Sequence, residues 1–132
     1  MNNTELNLYK CLAQAWNELN TEHILPFMSE DIIYESQWVF SALNGKTEVL
    51  EYLNGKFETL RNSNDSKVKA DLAYLPRMGM KLCLIMSQQL EEGLKEVTVL
   101  LEVKDNLISR IDICFLPDPA DAVIGLAGIS NN

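Results

Sequence analysis

Ile32-Ile33-Tyr34-Glu35-Ser36-Gln37-Trp38-Val39-Phe40-Ser41 is the stretch that decides how this chain is read. Ile32, Tyr34, Ser36, Trp38 and Phe40 alternate with Ile33, Glu35, Gln37, Val39 and Ser41. A period of two is that of a β-strand, whose successive side chains point to opposite faces. With the first set facing inward, a phenol, a hydroxyl and an indole lie along one wall. Large side chains with polar tips commonly line ligand pockets. The same residues also suit a plain core, in which the rings pack and their polar tips bond the backbone. Glu35 faces the other way in either case.

Upstream the period is helical. Leu6, Tyr9, Leu12, Ala13, Trp16 and Leu19 recur at three-and-four spacing, which predicts one amphipathic helix over Thr4–Asn20. Asn2 and Glu5 form a capping pair at its start. Thr21 caps a second, shorter helix with Ile24, Leu25, Phe27 and Met28, limited by Pro26. Ser29-Glu30-Asp31 closes that segment before the strand.

Downstream, Asn44-Gly45 turns the chain into a helix over Thr47–Asn62, with Val49, Leu50, Leu53, Phe57 and Leu60 on one face. Gly55 interrupts it at a cost of about 1 kcal/mol relative to alanine. Four strands follow. Val68 to Tyr74 alternates wet and dry, and Pro76 to Gly79 turns. Lys81 to Gln88 is more uniformly apolar, as in a strand covered on both sides. Glu91-Glu92-Gly93 makes a hairpin loop into Glu96–Val103, and Asp105-Asn106 a tight turn into Leu107–Leu116. Pro117 and Pro119 forbid ladder pairing, and 118–132 reads as a weakly specified tail with an apolar patch at Val123, Ile124 and Leu126. No repeat or linker divides 1–132, so the chain reads as a single α+β domain.

Composition narrows the function. The 132 residues suit one self-sufficient core. With 19 acidic against 11 basic residues the net charge is -8, which repels phosphate backbones and anionic lipid. Nucleic-acid and membrane binding are therefore not expected. No apolar run approaches the ~20 residues that span a bilayer, and no signal segment is evident, so the protein reads as cytoplasmic. Cys11, Cys83 and Cys114 are widely spaced and read as free, buried thiols in a reducing compartment.

Several reaction types lack their residues. Gly45-Lys46-Thr47 resembles the end of a phosphate-binding loop, but Phe40 stands where the motif needs its first glycine. One histidine, His23, and three dispersed cysteines do not make a transition-metal site, so neither metal nor cofactor is expected. His23 would have to serve any serine-histidine-acid triad, and no nucleophile elbow exists. Glu102, flanked by Leu101 and Val103, is the candidate for a partly buried carboxylate. Arg110 and Asp112 share a strand face and read as a salt-bridged pair.

Ala15-Trp16-Asn17, the run Phe27 to Ser36, Leu43-Asn44-Gly45-Lys46 and Val49 to Leu53, with the order of elements over 4–116, resemble the nuclear-transport-factor-like or SnoaL-like superfamily. That family includes ketosteroid isomerases and polyketide cyclases. The resemblance implies a cystatin-like cone, with N-terminal helices on one curved antiparallel sheet and a cavity between. It also implies a homodimer through the sheet's outer face. Trp16, Tyr34, Ser36, Trp38, Tyr74 and Glu102 are then the expected pocket residues. The isomerase chemistry does not carry over. The family's aspartate base falls on Ser36, its oxyanion tyrosine near Leu12, and its neutral carboxylic acid near Val99. No catalytic residue is assigned on that basis.

The favoured expectation is a pocket protein for a small, largely apolar molecule. The alternatives are a cyclase-, isomerase- or dehydratase-type enzyme using Glu102 or Asp112 with Tyr34, and a dimeric interaction module using the sheet face and the tail.

Overall fold

The computed structural model of this protein describes residues 3–37, 41–63 and 67–125. Helix α1 (Asn3–Glu18) buries Leu6, Leu8, Tyr9, Leu12, Ala15 and Trp16, essentially the stripe that the spacing picks out. It stops short of the expected end because Leu19 takes a left-handed φ of 54°. Asn20, rather than Thr21, caps the next turn, accepting from the Glu22 N–H at 2.9 Å. Thr21 is buried, and its hydroxyl donates to Asn54 at 2.8 Å. In place of the expected second helix there are two 3₁₀ turns, Thr21–His23 and Leu25–Phe27, since Pro26 cannot continue a longer one. Asn2 of the expected capping pair lies outside the described residues.

Strand β1 (Met28–Ser36) begins at Met28, where the alternation gave Ile32. The pattern is hidden by a register irregularity between Met28 and Ile33. β2 (Leu43–Asn44) is short, and Gly45, at φ 93°, donates its N–H to Ile32 and opens α2 (Lys46–Arg61). The glycine-lysine-threonine run is thus a turn and a helix start. α2 buries Val49, Leu53, Phe57 and Leu60.

The remaining strands are β3 (Val68–Leu75), β4 (Lys81–Leu90), β5 (Gly93–Lys104), β6 (Leu107–Cys114) and β7 (Val123–Ile124). Asp105 and Asn106 both have left-handed φ, 55° and 64°, as a two-residue hairpin turn requires. The order across the sheet is β2-β1-β6-β5-β4-β3-β7. All pairs are antiparallel except β1 with β6, which the sequence pattern does not foretell. β1 reaches β6 by a crossover through β2, α2 and β3–β5, and the two run the same way. A register shift at Glu102–Val103 adds a local bend of the kind that curves a sheet. The result is the expected α+β cone, helices on the concave side.

Parity then sorts the side chains. Ala70, Leu84, Met86, Val97, Val99, Leu101 and Ile111 face α1 and α2 in the main core. Ala73, Leu75, Cys83 and Ile85 face the other way, yet are almost inaccessible to water. β4 is therefore covered on both sides, as its uniform apolarity indicated. The cover on the outer side is the chain's own end. After β6 it doubles back as a strap: the Thr98 hydroxyl donates to the Pro117 carbonyl at 2.8 Å, and Ala122 packs on Leu75 and its neighbours. Val123 and Ile124 then pair with Tyr74 and Ala73. The weakly specified tail is thus ordered through Gly125 by sheet contacts that short, small-residue patterning does not reveal. Leu126 lies outside the described residues.

The part of the outer face that the strap leaves open, near β1 and β6, is acidic. Arg110 is surrounded by Asp112, Glu35 and Glu102, three carboxylates on one guanidinium. The predicted Arg110–Asp112 pair is present, with Arg110 Nε donating at 2.9 Å. No helix among the described residues is long and apolar enough to cross a membrane.

Candidate ligand cavity

A cavity of about 440 Å³ lies between the last turns of α1, the middle of α2 and the concave face of the sheet. Trp16, Tyr34, Leu43, Tyr52, Val68, Met86, Val97 and Ile113 give it apolar walls; Ser36, Ser41, Gln88, Lys56 and Lys95 add polar groups. Its size falls within the roughly 300–1,000 Å³ common for small-molecule sites. No carboxylate lines it among the described residues.

Trp16 is held from two directions. Phe57 packs against it edge-on, ring centres 4.8 Å apart. The next residue, Asn17, locks the end of α1 to β3: its amide donates to the Ala70 carbonyl at 3.0 Å and accepts from the Ala70 N–H at 2.7 Å. Yet the Trp16 Nε1–H itself is buried and has no partner among the described residues. A buried donor left unpaired costs about 1–3 kcal/mol.

Tyr34 stands on β1 with Tyr52 of α2 beside it, ring centres 5.2 Å apart. Burial, reinforced by the neighbouring Tyr52 phenol, pushes the Tyr34 hydroxyl far above its ordinary value, so it stays protonated. A protonated phenol offers a donor and an acceptor and does not act as a base.

The structure brings Trp16, Tyr34 and Ser36 together, as the strand parity required. Trp38 lies outside the described residues. Tyr74 shares the concave side but packs against the core farther along β3, away from the cavity. Glu102 does not reach the cavity, contrary to the expectation. Its side chain is 68% exposed and pairs with Arg110 on the outer face, because it shares parity with Thr98 and Leu100 rather than with Val99 and Leu101. Asp112 lies on that same outer face, so neither candidate acid/base carboxylate reaches the cavity. His23 is likewise remote, paired with Glu18 at 2.8 Å.

No protein-family model and no curated protein matches this sequence. Solved structures do. A protein from Kribbella flavida, provisionally named a ketosteroid isomerase, superposes with a TM-score of 0.62 at 17% identity, over 84% of this chain and 76% of that one. An uncharacterised cystatin-fold protein from Novosphingobium aromaticivorans gives 0.62 at 15%, over 86% and 97%. A protein from Xanthomonas campestris, provisionally named a polyketide cyclase, gives 0.61 at 13%, over 90% and 95%. This chain has the nuclear-transport-factor-like cone fold. Identities this low establish the cone and leave the chemistry open. In this cone the positions that the isomerase pattern would use are occupied otherwise: Leu12 and Val99 are fully buried core residues, and Ser36 sits in the cavity wall.

Tyr52, Lys56, Met86, Lys95, Val97 and Ile113 line the cavity without having been singled out by the sequence pattern. Tyr52 and Lys56 lie one turn apart on α2, beside the apolar stripe, and that i, i+4 pair was a usable signal. Met86, Val97 and Ile113 look like any strand core until the cone's geometry leaves space beneath them.

Proposed function

We propose that this protein binds a small, largely apolar molecule in the cavity beneath α1 and α2. The observation that carries this reading is a cavity of about 440 Å³ with largely apolar walls, Trp16, Tyr34, Met86 and Val97 among them. A bound molecule with an apolar body would fill the space, and Gln88 in the lining offers its amide to a polar group. Tyr34 and Ser36 supply further hydrogen-bonding groups on the opposite wall. With no carboxylate in its lining among the described residues, the site reads as one for holding a molecule rather than for moving its protons.

Native mass spectrometry of freshly purified protein, compared with the denatured mass, tests the reading directly. Binding predicts either a carried-over small molecule or, for the empty protein, a thermal upshift with aryl ketones or similar compounds. The Trp16 indole N–H resonance should move on binding. A cavity that accepts no such compound would end the proposal.

For partners, we propose that two copies pair, where they do, through the half of the outer face that the strap leaves open. The three carboxylates around Arg110 would then meet their copies, so association should strengthen with salt. Sedimentation at low and high ionic strength reads this out.

A further inference from the structure

Trp16, in the last turn of α1, and Val68, at the start of β3, both line the cavity. Their immediate neighbours meet across the seam between the two elements. The Asn17 amide donates to the Ala70 carbonyl at 3.0 Å and accepts from the Ala70 N–H at 2.7 Å. Those are the two bonds that facing residues exchange in an antiparallel ladder. β7 pairs with β3 at Ala73 and Tyr74, short of Ala70, so a helix side chain stands there in place of a strand. The two flanks of the helix end are held differently. Toward α2, Trp16 packs edge-on against Phe57, and Arg61 donates to the Leu19 carbonyl at 2.6 Å. Toward β3 the nearby residues are the small Val68 and Ala70, which give a ring little to hold. The amide carries more of the load on that side. Asn17 is itself exposed whereas Ala70 is buried, so the tie can break without disturbing the core.

We infer that Asn17 is a positioning residue for the cavity, a latch on the α1–β3 seam that sets how long an occupant stays; this rests on the ligand-binding reading above. With the latch made, Trp16 and Val68 keep one spacing and enclose the occupant's apolar body on that side. With it broken, the end of α1 can move off β3 and open a way out beside Trp16. Two ordinary hydrogen bonds favour the closed arrangement by roughly ten- to a hundredfold. A molecule packed on both walls favours that same arrangement, so occupancy and latch support one another.

The test compares probe release with folding in the full chain, using butyrophenone as a neutral aryl ketone. Asn17→Ala removes both bonds at an exposed helix position where alanine is the better helix former. Its melting curve should therefore stay close to that of the wild type. Dissociation of butyrophenone, followed by NMR exchange, should become at least about tenfold faster. In the empty variant the Trp16 indole and Val68 methyl resonances should shift or broaden, while Ile113 on the far wall stays put. A purely structural tie would lower the melt and leave release from the folded protein unchanged. Release at the wild-type rate, with Trp16 and Val68 unmoved, overturns the latch and leaves the pocket standing. Should Asn17→Ala melt far below the wild type, Asn17→Asp takes its place, since it still accepts from the Ala70 N–H but cannot donate. Faster release from that variant supports the latch, and wild-type release overturns it. A wild-type protein that binds no butyrophenone, its Trp16 indole resonance unmoved, overturns the pocket and the latch together.

Discussion

Tyr9 and Trp16 lie two turns apart on the same face of α1, and only the first has its polar tip satisfied. The Tyr9 hydroxyl accepts from the Leu101 N–H at 2.9 Å, fastening the helix to the sheet, whereas the Trp16 Nε1–H has no partner among the described residues. Tyr9→Phe would leave the buried Leu101 N–H unpaired and should cost about 1–3 kcal/mol. Trp16→Phe removes an unpaired donor and only enlarges an existing cavity, so it should cost less. Urea unfolding of the two variants gives the order. A Trp16→Phe loss as large as that of Tyr9→Phe would mean the indole is already satisfied in the empty protein.

Gly55 offers a contrasting test that leaves the cavity alone. It lies in the interior of α2, exposed, and a methyl group added there would meet nothing within 4 Å. The only effect of Gly55→Ala is then on backbone entropy, which favours alanine in a helix by about 0.5–1 kcal/mol. A thermal melt should rise accordingly. A fall would show that the surface of α2 is in contact with something in solution.

Asp112 gives a pH signature. Burial raises its carboxyl above the ordinary aspartate range, prevailing over the opposing pull of Arg110, with Glu102 and Glu35 adding to the rise. A folded-state value above the unfolded one means the folded protein binds that proton more tightly. Its stabilising share is therefore present below the unfolded value, near pH 4, and is lost as pH rises through the folded value. Asp112→Asn keeps an oxygen for the Arg110 Nε–H and has no proton to lose. Relative to wild type, the variant should gain stability as pH rises across that window. Urea unfolding at several pH values checks it, and a gap that is flat or narrows with pH would contradict it.

How much of this was legible depends on what side-chain alternation encodes. Ile32, Tyr34 and Ser36 face inward because a strand half-covered by helices must show a period of two, and that parity is written in the residue types. Glu102 misleads because its apolar neighbours Leu101 and Val103 suggest burial, though in a strand adjacent residues point to opposite faces. The β1–β6 pairing was not legible at all, since register across a crossover depends on the path of α2 and β3–β5 rather than on local pattern. The cavity was half-visible. Its aromatic wall could be read from one strand, but its volume is set by how far α2 stands off the sheet.

The C-terminal strap is the feature least expected from composition, and it can be removed cleanly. Ending the chain after Pro117 retains the carbonyl that Thr98 bonds but deletes Ala122 and the β7 pairing with Ala73 and Tyr74. Leu75, Cys83 and Ile85 would then face water. Fully uncovering one large aliphatic side chain costs about 1.5–3 kcal/mol, so with Leu75 and Ile85 affected the loss should be on the order of 2–5 kcal/mol. A second readout is chemical. Burial pushes the Cys83 thiol up to about 11, and the strap shields it, so in the intact chain it should react slowly with a thiol reagent near neutral pH. In the shortened chain, labelling at Cys83, located by peptide mass, should quicken markedly, and sedimentation should show more self-association through the bared apolar face. Unchanged unfolding and unchanged labelling would mean that the outer face is closed by something other than the strap, and a second copy of the chain would then be the first candidate.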